Sequence, residues 1–406
     1  MPSPDYDIAI IGGGIVGLAT ALALRERSPE IRLVVLEKES HLGIHQTARN
    51  SMVMHSGVYY RPGSLKARFC REGRKLLFTF CESQGIRWKP CSKVIVATCE
   101  VQLPQLNELY AWGRANGVPE LELIGSERLK ELEPYVRGIQ ALSIPHAGAV
   151  DFVEVTSRIA HLLSEQLVEV LTEAHVMRVE CTHGMFRLKT GRGEFCARYV
   201  VNCGGLQADR IARMVGVQLP FQLIPFRILR FLLKPERRYL VRSIVYPIPD
   251  PGAPQFGVHA TRRFDGEVEL GPGIALAFAR EGYRATTIRF DEVFEMLRYP
   301  GFWNMLVKKR RVALAEIRRA SSLVSMVRDL QRILPELTIQ DIVREPAVDG
   351  ILAPAFSRSG MMLEDFAVQE GPGSVHLLNA PSPAATAAFA IGRHLANIAC
   401  TRGRVS

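Results

Sequence analysis

Residues 7–37 read DIAIIGGGIVGLATALALRERSPEIRLVVLE, and this stretch decides the fold. Residues 7–11 form a short apolar run that predicts a buried strand, and residues 18–24 follow with the alanine-rich pattern of an apolar helix. A second apolar run at 31–36 predicts another strand and is followed at once by Glu37. Strand, glycine turn, helix, strand and acid stand in the order that a dinucleotide-binding βαβ unit requires.

The three glycines of the turn have separate tasks in such a unit. Gly12 permits the tight turn, Gly14 lets backbone N–H groups approach a pyrophosphate, and Gly17 lets the helix pack closely on the strand. The first helical residues, Ile15 and Val16, present unpaired N–H donors and partial positive charge to the phosphates. The acid after the second strand would accept a hydrogen bond from a ribose hydroxyl. The motif predicts a bound dinucleotide, and by itself it does not distinguish FAD from NAD.

The composition is that of a globular protein with two or three packed domains. The chain has 406 residues, of which 47% are hydrophobic and 23% charged. It contains no run of 18 or more apolar residues, so we expect no transmembrane helix. The 8 cysteines form no CxxC pair, which indicates reduced thiols rather than a metal site or a disulfide framework. Because the first strand begins almost at the N-terminus, we expect no targeting peptide and a cytoplasmic protein.

The net charge of +10 is concentrated in part at residues 308–311 and 318–319. These lie in a region, residues 286–337, whose pattern predicts several basic amphipathic helices. Either the charges form solvated helix faces, or they attract an anionic membrane surface or an anionic substrate. We expect no nucleic-acid partner.

The order of the predicted elements indicates one domain inserted into another. Nucleotide-type elements recur at both ends of the chain and in its middle, and a proline- and glycine-rich region with strand patterns lies between them. We predict an α/β (α+β) protein in which a Rossmann-like domain carries an inserted domain of mixed β-sheet and helices. The expected boundaries are 1–90, 140–220 and 340–406 for the discontinuous cofactor domain, and 91–139 and 221–339 for the substrate domain.

Several further segments resemble one known family. They read HQTARNS at 45–51, HSGVYY at 55–60, PGSLKA at 62–67, GVH at 257–259 and NAPSPAAT at 379–386. They are similar to signature segments of the L-2-hydroxyglutarate oxidases and dehydrogenases, which are FAD flavoproteins of the D-amino-acid-oxidase superfamily. The similarity runs nearly from end to end, and it implies non-covalently bound FAD rather than NAD and a D-amino-acid-oxidase-like fold.

The resemblance also assigns cofactor contacts beyond the glycine turn and Glu37. The segment at 43–60 is expected to wrap the flavin ring, residue 176 to meet the adenine through its backbone, a second glycine turn to close on the phosphate and ribitol, and the segment at 381–386 to open the last helix toward the flavin. The residues concerned are Lys38, His45, Gln46, Thr47, Asn50, Ser51, Val176, Cys203, Gly204, Pro381, Ser382, Pro383 and Ala384.

The family reaction oxidises a secondary alcohol beside a carboxylate, with a base that takes the hydroxyl proton while hydride passes to flavin N5. Histidine suits the base because its pKa lies near the working pH. His55 and His259 are the main candidates, since both lie in family segments, and His45 is the third. Arg262 and Arg227 are candidate carboxylate clamps, because a guanidinium offers two parallel donors, although Arg227 could equally be a structural ion partner.

The chain departs from the family pattern where substrate would bind. Ala48-Arg49 stands where the family has Gly-His, and Ile228-Leu229-Arg230 stands where it has glycine, an acid and tyrosine. Leu352 or a neighbour replaces the family arginine expected to face a substrate carboxylate. Arg49 and Arg230 could restore the positive charge, or the substrate could lack one carboxylate.

Three functions therefore remain open from the sequence. The first is an FAD-dependent oxidase or dehydrogenase of a small anionic 2-hydroxy acid such as L-2-hydroxyglutarate. The second is an amine or amino-acid oxidase of the same superfamily, and the third is a flavin-binding protein without turnover. The electron acceptor could be oxygen or a quinone, and a quinone acceptor would suit peripheral membrane contact through the basic helices.

Overall fold

The computed structural model describes residues 4–248, 257–308, 310, 322–343 and 350–403. The strands are β1 (Tyr6–Ile11), β2 (Leu33–Leu36), β3 (Val53–Met54), β4 (Trp88–Ala97), β5 (Glu122–Gly125), β6 (Gln140–Val150), β7 (Glu169–Leu171), β8 (Val176–Thr182), β9 (Met185–Thr190), β10 (Gly193–Asn202), β11 (Phe221–Leu223), β12 (Phe226–Leu232), β13 (Ile244–Pro247), β14 (His259–Arg262), β15 (Val268–Leu276), β16 (Gly350–Leu352), β17 (Ala355–Ser357), β18 (Ala367–Gly371) and β19 (Ser374–Asn379).

The helices follow the strands in an alternating order through most of the chain. They are α1 (Ile15–Arg27), α2 (Leu65–Ser83), α3 (Leu103–Ala115), α4 (Ser126–Leu132), α5 (Phe152–Glu165), α6 (Ala208–Met214), α7 (Phe290–Leu297), α8 (Pro300–Lys308), α9 (Leu323–Leu330) and α10 (Ala388–Gly403). Within the described ranges, no helix combines the length and the apolarity needed to span a bilayer.

The first sheet carries the nucleotide motif, and its main path runs β18-β19-β10-β1-β2-β7. β1 pairs in parallel with β2 and β10, and β19 is parallel to β10, whereas β8, β9 and β18 are antiparallel additions. Residues 8–11 are buried, as expected for a parallel sheet covered on both faces. Because Ile11 and Asn202 are register partners, the loops after β1 and β10 leave the same edge of the sheet side by side.

Helices α1, α5 and α10 cover one face of this sheet and form the largest apolar core with it. Helix α1 follows from its composition, since Leu18, Ala21 and Leu24 are completely buried. Gly392 of α10 faces the backbone of α1, and a Cβ there would lie 2.7 Å from Ala19. The two helices therefore approach more closely than larger side chains would allow.

The second sheet runs β16-β12-β15-β14-β13-β4-β6-β3, with β5 paired to β6. It is antiparallel except for the parallel pair of β13 and β4. Helix α9 and the strands β4, β13 and β15 share one apolar core, and α3 contributes to another on β4 and β6. This mixed sheet with its own helices agrees with the expected inserted architecture.

Sheet membership differs from the expected boundaries at two places. Strand β6 (Gln140–Val150) and strand β16 (Gly350–Leu352) pair in the second sheet, although both lie in ranges that we expected to belong to the cofactor domain. Strand β6 leads directly into α5, which packs on the first sheet, and β16 stands shortly before β18 and β19 of that sheet, so the sequence pattern alone could not separate them. The division into two domains itself stays a prediction.

The last helix begins later than the sequence indicates. Residues 382–387 form successive turns, and the regular helix starts at Ala388 rather than at Ser382. Pro383 lacks an N–H and disfavours helical geometry at the residue before it, which explains the delay. Of the basic residues at 308–311 and 318–319, Lys308 and Arg310 belong to the described ranges, and the others lie outside them.

Candidate active site

A large cavity of about 1350 Å³ takes its walls from both sheets. Its lining includes the loops that follow β1, β2, β10 and β19 in the first sheet and inward residues of β12 to β15 in the second. Every cofactor residue expected from the sequence lines it: Gly12, Gly14, Ile15, Val16, Gly17, Glu37, Lys38, His45, Gln46, Thr47, Asn50, Ser51, Val176, Cys203, Gly204, Pro381, Ser382, Pro383 and Ala384.

The glycine turn is held in close contact with the second glycine turn. Gly12 has φ +111°, and a Cβ on it would lie 2.4 Å from the carbonyl oxygen of Cys203. A Cβ on Gly17 would lie 2.0 Å from the oxygen of Gly12, so only glycine permits α1 to approach the turn. The N-cap residue Gly14 has no side chain to cap α1, so apart from the N–H of Ile15, which Thr47 accepts, the donors of the first turn remain available at the cavity.

Glu37 is fixed by backbone donors before any ligand binds. The N–H of Gly13 donates to its Oε2 at 2.7 Å, and the N–H of Glu39 donates to its Oε1 at 3.0 Å. Its side chain is buried, and the N–H of Ala174 bonds to its carbonyl oxygen, which brings the strand that leads to Val176 beside it. A fixed carboxylate at this edge suits recognition of ribose hydroxyls.

The loop at 43–51 is tied to the phosphate turn. Thr47 is buried, and its Oγ1 accepts a hydrogen bond from the N–H of Ile15 at 3.2 Å. The side-chain amide of Asn50 donates to the carbonyl of Thr47 and accepts from the N–H of Met52, so Asn50 shapes the loop. Gln46 reaches the second glycine turn, where a Cβ on Gly205 would lie 3.1 Å from its Oε1.

The residues present fit FAD. The glycine turns leave space for a pyrophosphate, the carboxylate of Glu37 is preorganised for a ribose, and the same cavity extends past the 43–51 loop toward two histidines. When bound, FAD supplies a hydride acceptor at the flavin ring. All other roles in the site, such as binding the substrate and accepting its proton, belong to residues of the protein itself.

A charged cluster closes another part of the cavity. The ammonium of Lys38 lies among Glu39, His45 and Glu281, bonding to Glu39 and standing 2.7 Å from Glu281 Oε2 and 3.2 Å from His45 Nε2. Glu281 also accepts a hydrogen bond from Gln207 at 2.8 Å. The lysine therefore balances the two carboxylates, and the cluster joins the loop after β2 to the segment after β15.

His55 is held by the turn segment before the last helix. Its Nε2 is 3.1 Å from the hydroxyl of Ser382, and its backbone N–H donates to the hydroxyl of Thr386 at 3.1 Å. Burial, and then the charges of Lys93 and His259, lower the pKa of His55 to about 3. The imidazole is therefore neutral at physiological pH, and its protonated form is disfavoured.

His259 is the more enclosed of the two histidines. Its ring stacks on the ring of Tyr246, with centroids 3.8 Å apart and 19° between the planes. Its Nδ1 lies 3.1 Å from the carbonyl oxygen of Gly257. A carbonyl only accepts, so Nδ1 carries the proton in the neutral ring and Nε2 is the proton-accepting nitrogen.

The candidate arginines divide into two groups. Arg49 and Arg230 line the cavity, whereas Arg262 and Arg227 do not. The guanidinium of Arg262 donates to the carbonyl oxygens of Val241, Gly266 and Arg238, so it shapes the backbone around β14. The described hydrogen bonds of Arg262 are thus those of a backbone-shaping residue rather than of a carboxylate clamp in the cavity.

Arg230 is in the cavity wall but is already engaged. It is buried, it donates to the carbonyl oxygens of Arg49 and Asn50 at 2.7 and 3.0 Å, and it stands 3.6 Å from Glu269. Its charge is balanced by Glu269, so it holds the 43–51 loop to β12 rather than offering a free positive charge. Arg49 is therefore better placed than Arg230 to restore the positive charge of the family arginine that Leu352 or a neighbour replaces.

Comparisons with known proteins decide the family. The family model described as FAD-dependent oxidoreductase matches residues 7–398. L-2-hydroxyglutarate dehydrogenase of Indibacter alkaliphilus is 40% identical over 96% of this chain and 97% of its own length, and the mitochondrial enzyme of Homo sapiens is 42% identical over 97% and 88%. This chain belongs to the FAD-dependent oxidoreductase family. The family resemblance, the fold class and FAD as cofactor, all expected from the sequence, are confirmed.

Solved structures of the family show the same fold at low identity. The L-alpha-glycerophosphate oxidase of Mycoplasma pneumoniae aligns with a TM-score of 0.77 at 22% identity, covering 97% of this chain and 94% of its own. Glycine oxidase of Geobacillus kaustophilus aligns with a TM-score of 0.74 at 17% identity, covering 100% and 96%. These similarities concern the fold alone.

Sequence reasoning missed several residues that this FAD-dependent oxidoreductase places at the histidines. Tyr59 and Tyr246 line the cavity, and Lys93 lies behind them with its ammonium 3.6 Å from the centre of the Tyr246 ring. The signal for Lys93 was a lone lysine leading into the apolar run Val94–Ala97 on β4. Glu269 was missed because nothing in the sequence pairs it with Arg230, which lies on a neighbouring strand.

Proposed function

We propose that this chain oxidises L-2-hydroxyglutarate or a closely related 2-hydroxy acid, with His259 as the base that accepts the hydroxyl proton. One observation carries the proposal: His55 and His259 line the same cavity as the glycine turns and Glu37. The curated relatives named above, all L-2-hydroxyglutarate dehydrogenases at about 40% identity, support the substrate class. We place His259 before His55 because the Gly257 carbonyl fixes its tautomer.

Anaerobic mixing with substrate tests this assignment. The FAD-loaded protein should bleach with L-2-hydroxyglutarate and not with the D enantiomer, since one face of the carbon must meet both base and flavin. His259→Ala should slow flavin reduction by about 10²–10⁴-fold. His161→Ala, an exposed histidine on α5, is the matched control and should reduce at the wild-type rate. Bleaching by amines alone would support the amine-oxidase alternative, and no bleaching by any of a broad panel would support a protein without turnover.

Arg49 is the proposed partner of a substrate carboxylate. Its guanidinium lies over the ring of Tyr283 at 3.7 Å, and its Nε donates to the carbonyl of Ile44, so the side chain is held in one orientation at the cavity. Its backbone oxygen would lie 2.8 Å from a Cβ on Gly350, which starts the strand that carries Leu352. Arg49 thus stands beside the position where the family arginine is replaced.

A substitution of Arg49 distinguishes binding of a substrate carboxylate from a role in shaping the 43–51 loop. Arg49→Met should raise KM for a 2-hydroxy dicarboxylate at least tenfold, because a charge-assisted bidentate pair is lost. KM for a 2-hydroxy monocarboxylate should change little if Arg49 meets the distal group. Equal losses for both substrates would count against recognition of that group.

We also propose a membrane quinone as electron acceptor, reached through contact of α7 and α8 with an anionic bilayer. An apolar patch on these helices consists of Phe290, Phe294, Trp303 and Val307, which are 81%, 60%, 53% and 68% exposed. Arg298 and Lys308 accompany it, and Met305 and Leu306 of α8 line the cavity from the other side. An exposed apolar helical surface with flanking basic residues suits a membrane interface, and arginines of the protein neutralise the acids of α7: Glu292 and Glu295 pair with Arg210, and Asp291 pairs with Arg289.

Vesicle sedimentation tests the contact. The protein should sediment with vesicles that contain anionic lipid and less with neutral ones. Phe290→Ser together with Phe294→Ser should release it, while Leu167→Ser, which removes a residue 91% exposed elsewhere, should not. Faster reoxidation of the reduced flavin by oxygen than by a short-chain quinone would contradict the acceptor.

A further inference from the structure

A buried lysine stands behind the wall that carries the two histidines. Lys93 lies on β4 between Ile244 of β13 and Ile144 of β6, and only 4% of it is exposed. Among the described residues no carboxylate forms a salt bridge with it, and the nearby thiols of Cys91 and Cys70 are uncharged, because burial raises their pKa to about 11 and about 12. An ammonium without an acidic partner is costly to bury, so its position needs a compensating interaction.

Two aromatic rings provide that interaction. The Nζ of Lys93 is 3.6 Å from the centroid of the Tyr246 ring and 4.6 Å from that of Tyr59. An ammonium at such distances is attracted by the negative face of the ring, most strongly when it is desolvated. Both tyrosines line the cavity, whereas Lys93 itself does not. The lysine therefore acts on the site through the rings and not by contact with substrate.

The Tyr246 ring connects the lysine to His259. The imidazole of His259 is stacked on Tyr246 at 3.8 Å with an interplanar angle of 19°. Strands β4, β13 and β14 are adjacent in the second sheet, so the ammonium, the phenol ring and the imidazole are carried by neighbouring strands and keep a fixed spacing. Lys93, Tyr246 and His259 form what we call the lysine stack.

We propose that Lys93 is a positioning residue for the reaction: through Tyr246 it fixes the His259 ring, and its ammonium places a positive charge behind the wall that carries the two histidines. The inference rests on the proposed function, because it presupposes a histidine base.

The electrostatic surroundings support this role. Burial, followed by the charge of Lys93, lowers the pKa of His55, and burial lowers the pKa of Lys93 itself to about 7. Lys93 is therefore protonated and charged at acidic pH, and it loses its proton as the pH rises above about 7. The other titratable or charged groups around the stack are Cys91 on β4, Cys70 and Arg74 on α2, Tyr59 and Tyr60 after β3, and Arg230 and Glu269 behind Tyr246.

The pH profile of flavin reduction tests the lysine stack. Lys93→Met keeps the length of the side chain and removes its charge. Without that charge a histidine gains its proton more readily, so the acidic limb of the profile should move upward by about one pH unit. Above pH 8, where wild-type Lys93 is largely neutral, the two rates should converge. A variant that slows the reaction equally at every pH would show a purely structural role and overturn the inference.

The controls keep the result interpretable. Lys89→Met removes an exposed lysine from the same strand and should leave the profile unchanged. Flavin absorbance of each purified protein measures FAD loading independently of turnover. If Lys93→Met does not load FAD, Tyr246→Leu removes the ring that links lysine and histidine, and it should reduce flavin at least tenfold more slowly; a wild-type rate would overturn the inference.

The two proposals fail in different ways. An unmoved acidic limb in Lys93→Met, together with slow reduction by His259→Ala, would overturn the lysine stack and leave the proposed function in place. A wild-type rate in both His259→Ala and His55→Ala would remove the histidine base, and the proposed function with it.

Discussion

At the scale of the residue, His376 shows how the second glycine turn depends on one protonation state. His376 is completely buried on β19, its Nδ1 faces the amide of Asn202 at 3.0 Å, and its Nε2 faces the hydroxyl of Ser374 at 3.0 Å. The oxygen of Asn202 accepts from the N–H of Gly204, so its amide nitrogen must donate to His376. The imidazole is therefore needed as an acceptor, which is its neutral form.

Acid should destabilise the protein through this residue. Burial lowers the pKa of His376 to about 4, below the ordinary value of 6.5, so the unfolded chain binds the proton first. Stability should thus be complete above pH 6.5 and fall as the pH drops toward 4, by about 2 kcal/mol between pH 7 and pH 5 from this group. Urea unfolding of wild type and His376→Gln at both pH values measures it. The loss should be smaller in the variant, and equal losses would refute the assignment.

The role of a residue could be predicted from the sequence where the groups around it lie close to it in the chain. The roles of Gly12, Gly17 and Glu37 could be anticipated because a strand, a turn and a helix fix their surroundings within 31 residues of chain. The surroundings of Lys93 and Arg230 could not, because they depend on which strands become neighbours. His259 could be selected from its segment in the sequence, but its stacking partner Tyr246 could not.

At the scale of the element, β12 and β15 are joined to the flavin loop by Arg230. The guanidinium bonds to the carbonyls of Arg49 and Asn50 on one side and pairs with Glu269 of β15 on the other. Glu269 also meets Arg263 at 3.6 Å, so two arginines share one buried carboxylate. The arrangement connects the second sheet to the loop that the family resemblance assigns to the flavin ring.

Removing Arg230 should therefore lower the free energy of unfolding by more than the loss of one hydrogen bond would. Arg230→Met leaves the buried Glu269 with a single remaining partner and should destabilise the protein by about 3 kcal/mol. Arg230→Met combined with Glu269→Gln should regain most of that loss, because no uncompensated charge is left. Denaturant unfolding of the single and double variants gives the coupling. Additive losses in the double variant would contradict the pairing.

Element boundaries were predictable where side-chain periodicity is strong and failed where proline intervenes. The pattern at 139–150 predicts a strand and that at 153–166 a helix, and β6 (Gln140–Val150) and α5 (Phe152–Glu165) differ from these ranges by about one residue at an end. The last helix starts at Ala388 because Pro383 postpones regular helix geometry, and the intervening turns carry the hydroxyls that hold His55. The membership of β6 and β16 in the second sheet depends on long-range pairing, which local patterns do not encode.

At the scale of the whole molecule, the cavity between the two sheets is the place where FAD would join them. A ligand that contacts both the glycine turns and the walls of the second sheet stabilises the folded state by mass action. Thermal unfolding should shift upward with FAD concentration, by an amount equivalent to about 2.7 kcal/mol at one hundred times Kd. ADP, which can fill only the glycine-turn end, should give a smaller shift. A melting temperature that is insensitive to FAD would contradict the cavity assignment.

The overall architecture could be predicted because the family pattern extends along the chain, while the acceptor and the exact substrate could not. The apolar patch on α7 and α8 illustrates the reason: its side chains have the spacing of core residues, and only the folded structure leaves them exposed. Residues 346–349, which precede the strand that carries Leu352, lie outside the described residues.

The contact between His55 and Ser382 spans 327 positions of chain. Strand β19, which carries His376 and borders β10, is also synthesised long after the glycine turn. During translation the glycine turn and Glu37 therefore emerge well before the sheet edge and the turn that complete their pocket. A chain interrupted before residue 374 would lack both of these parts, and it should be released without bound flavin.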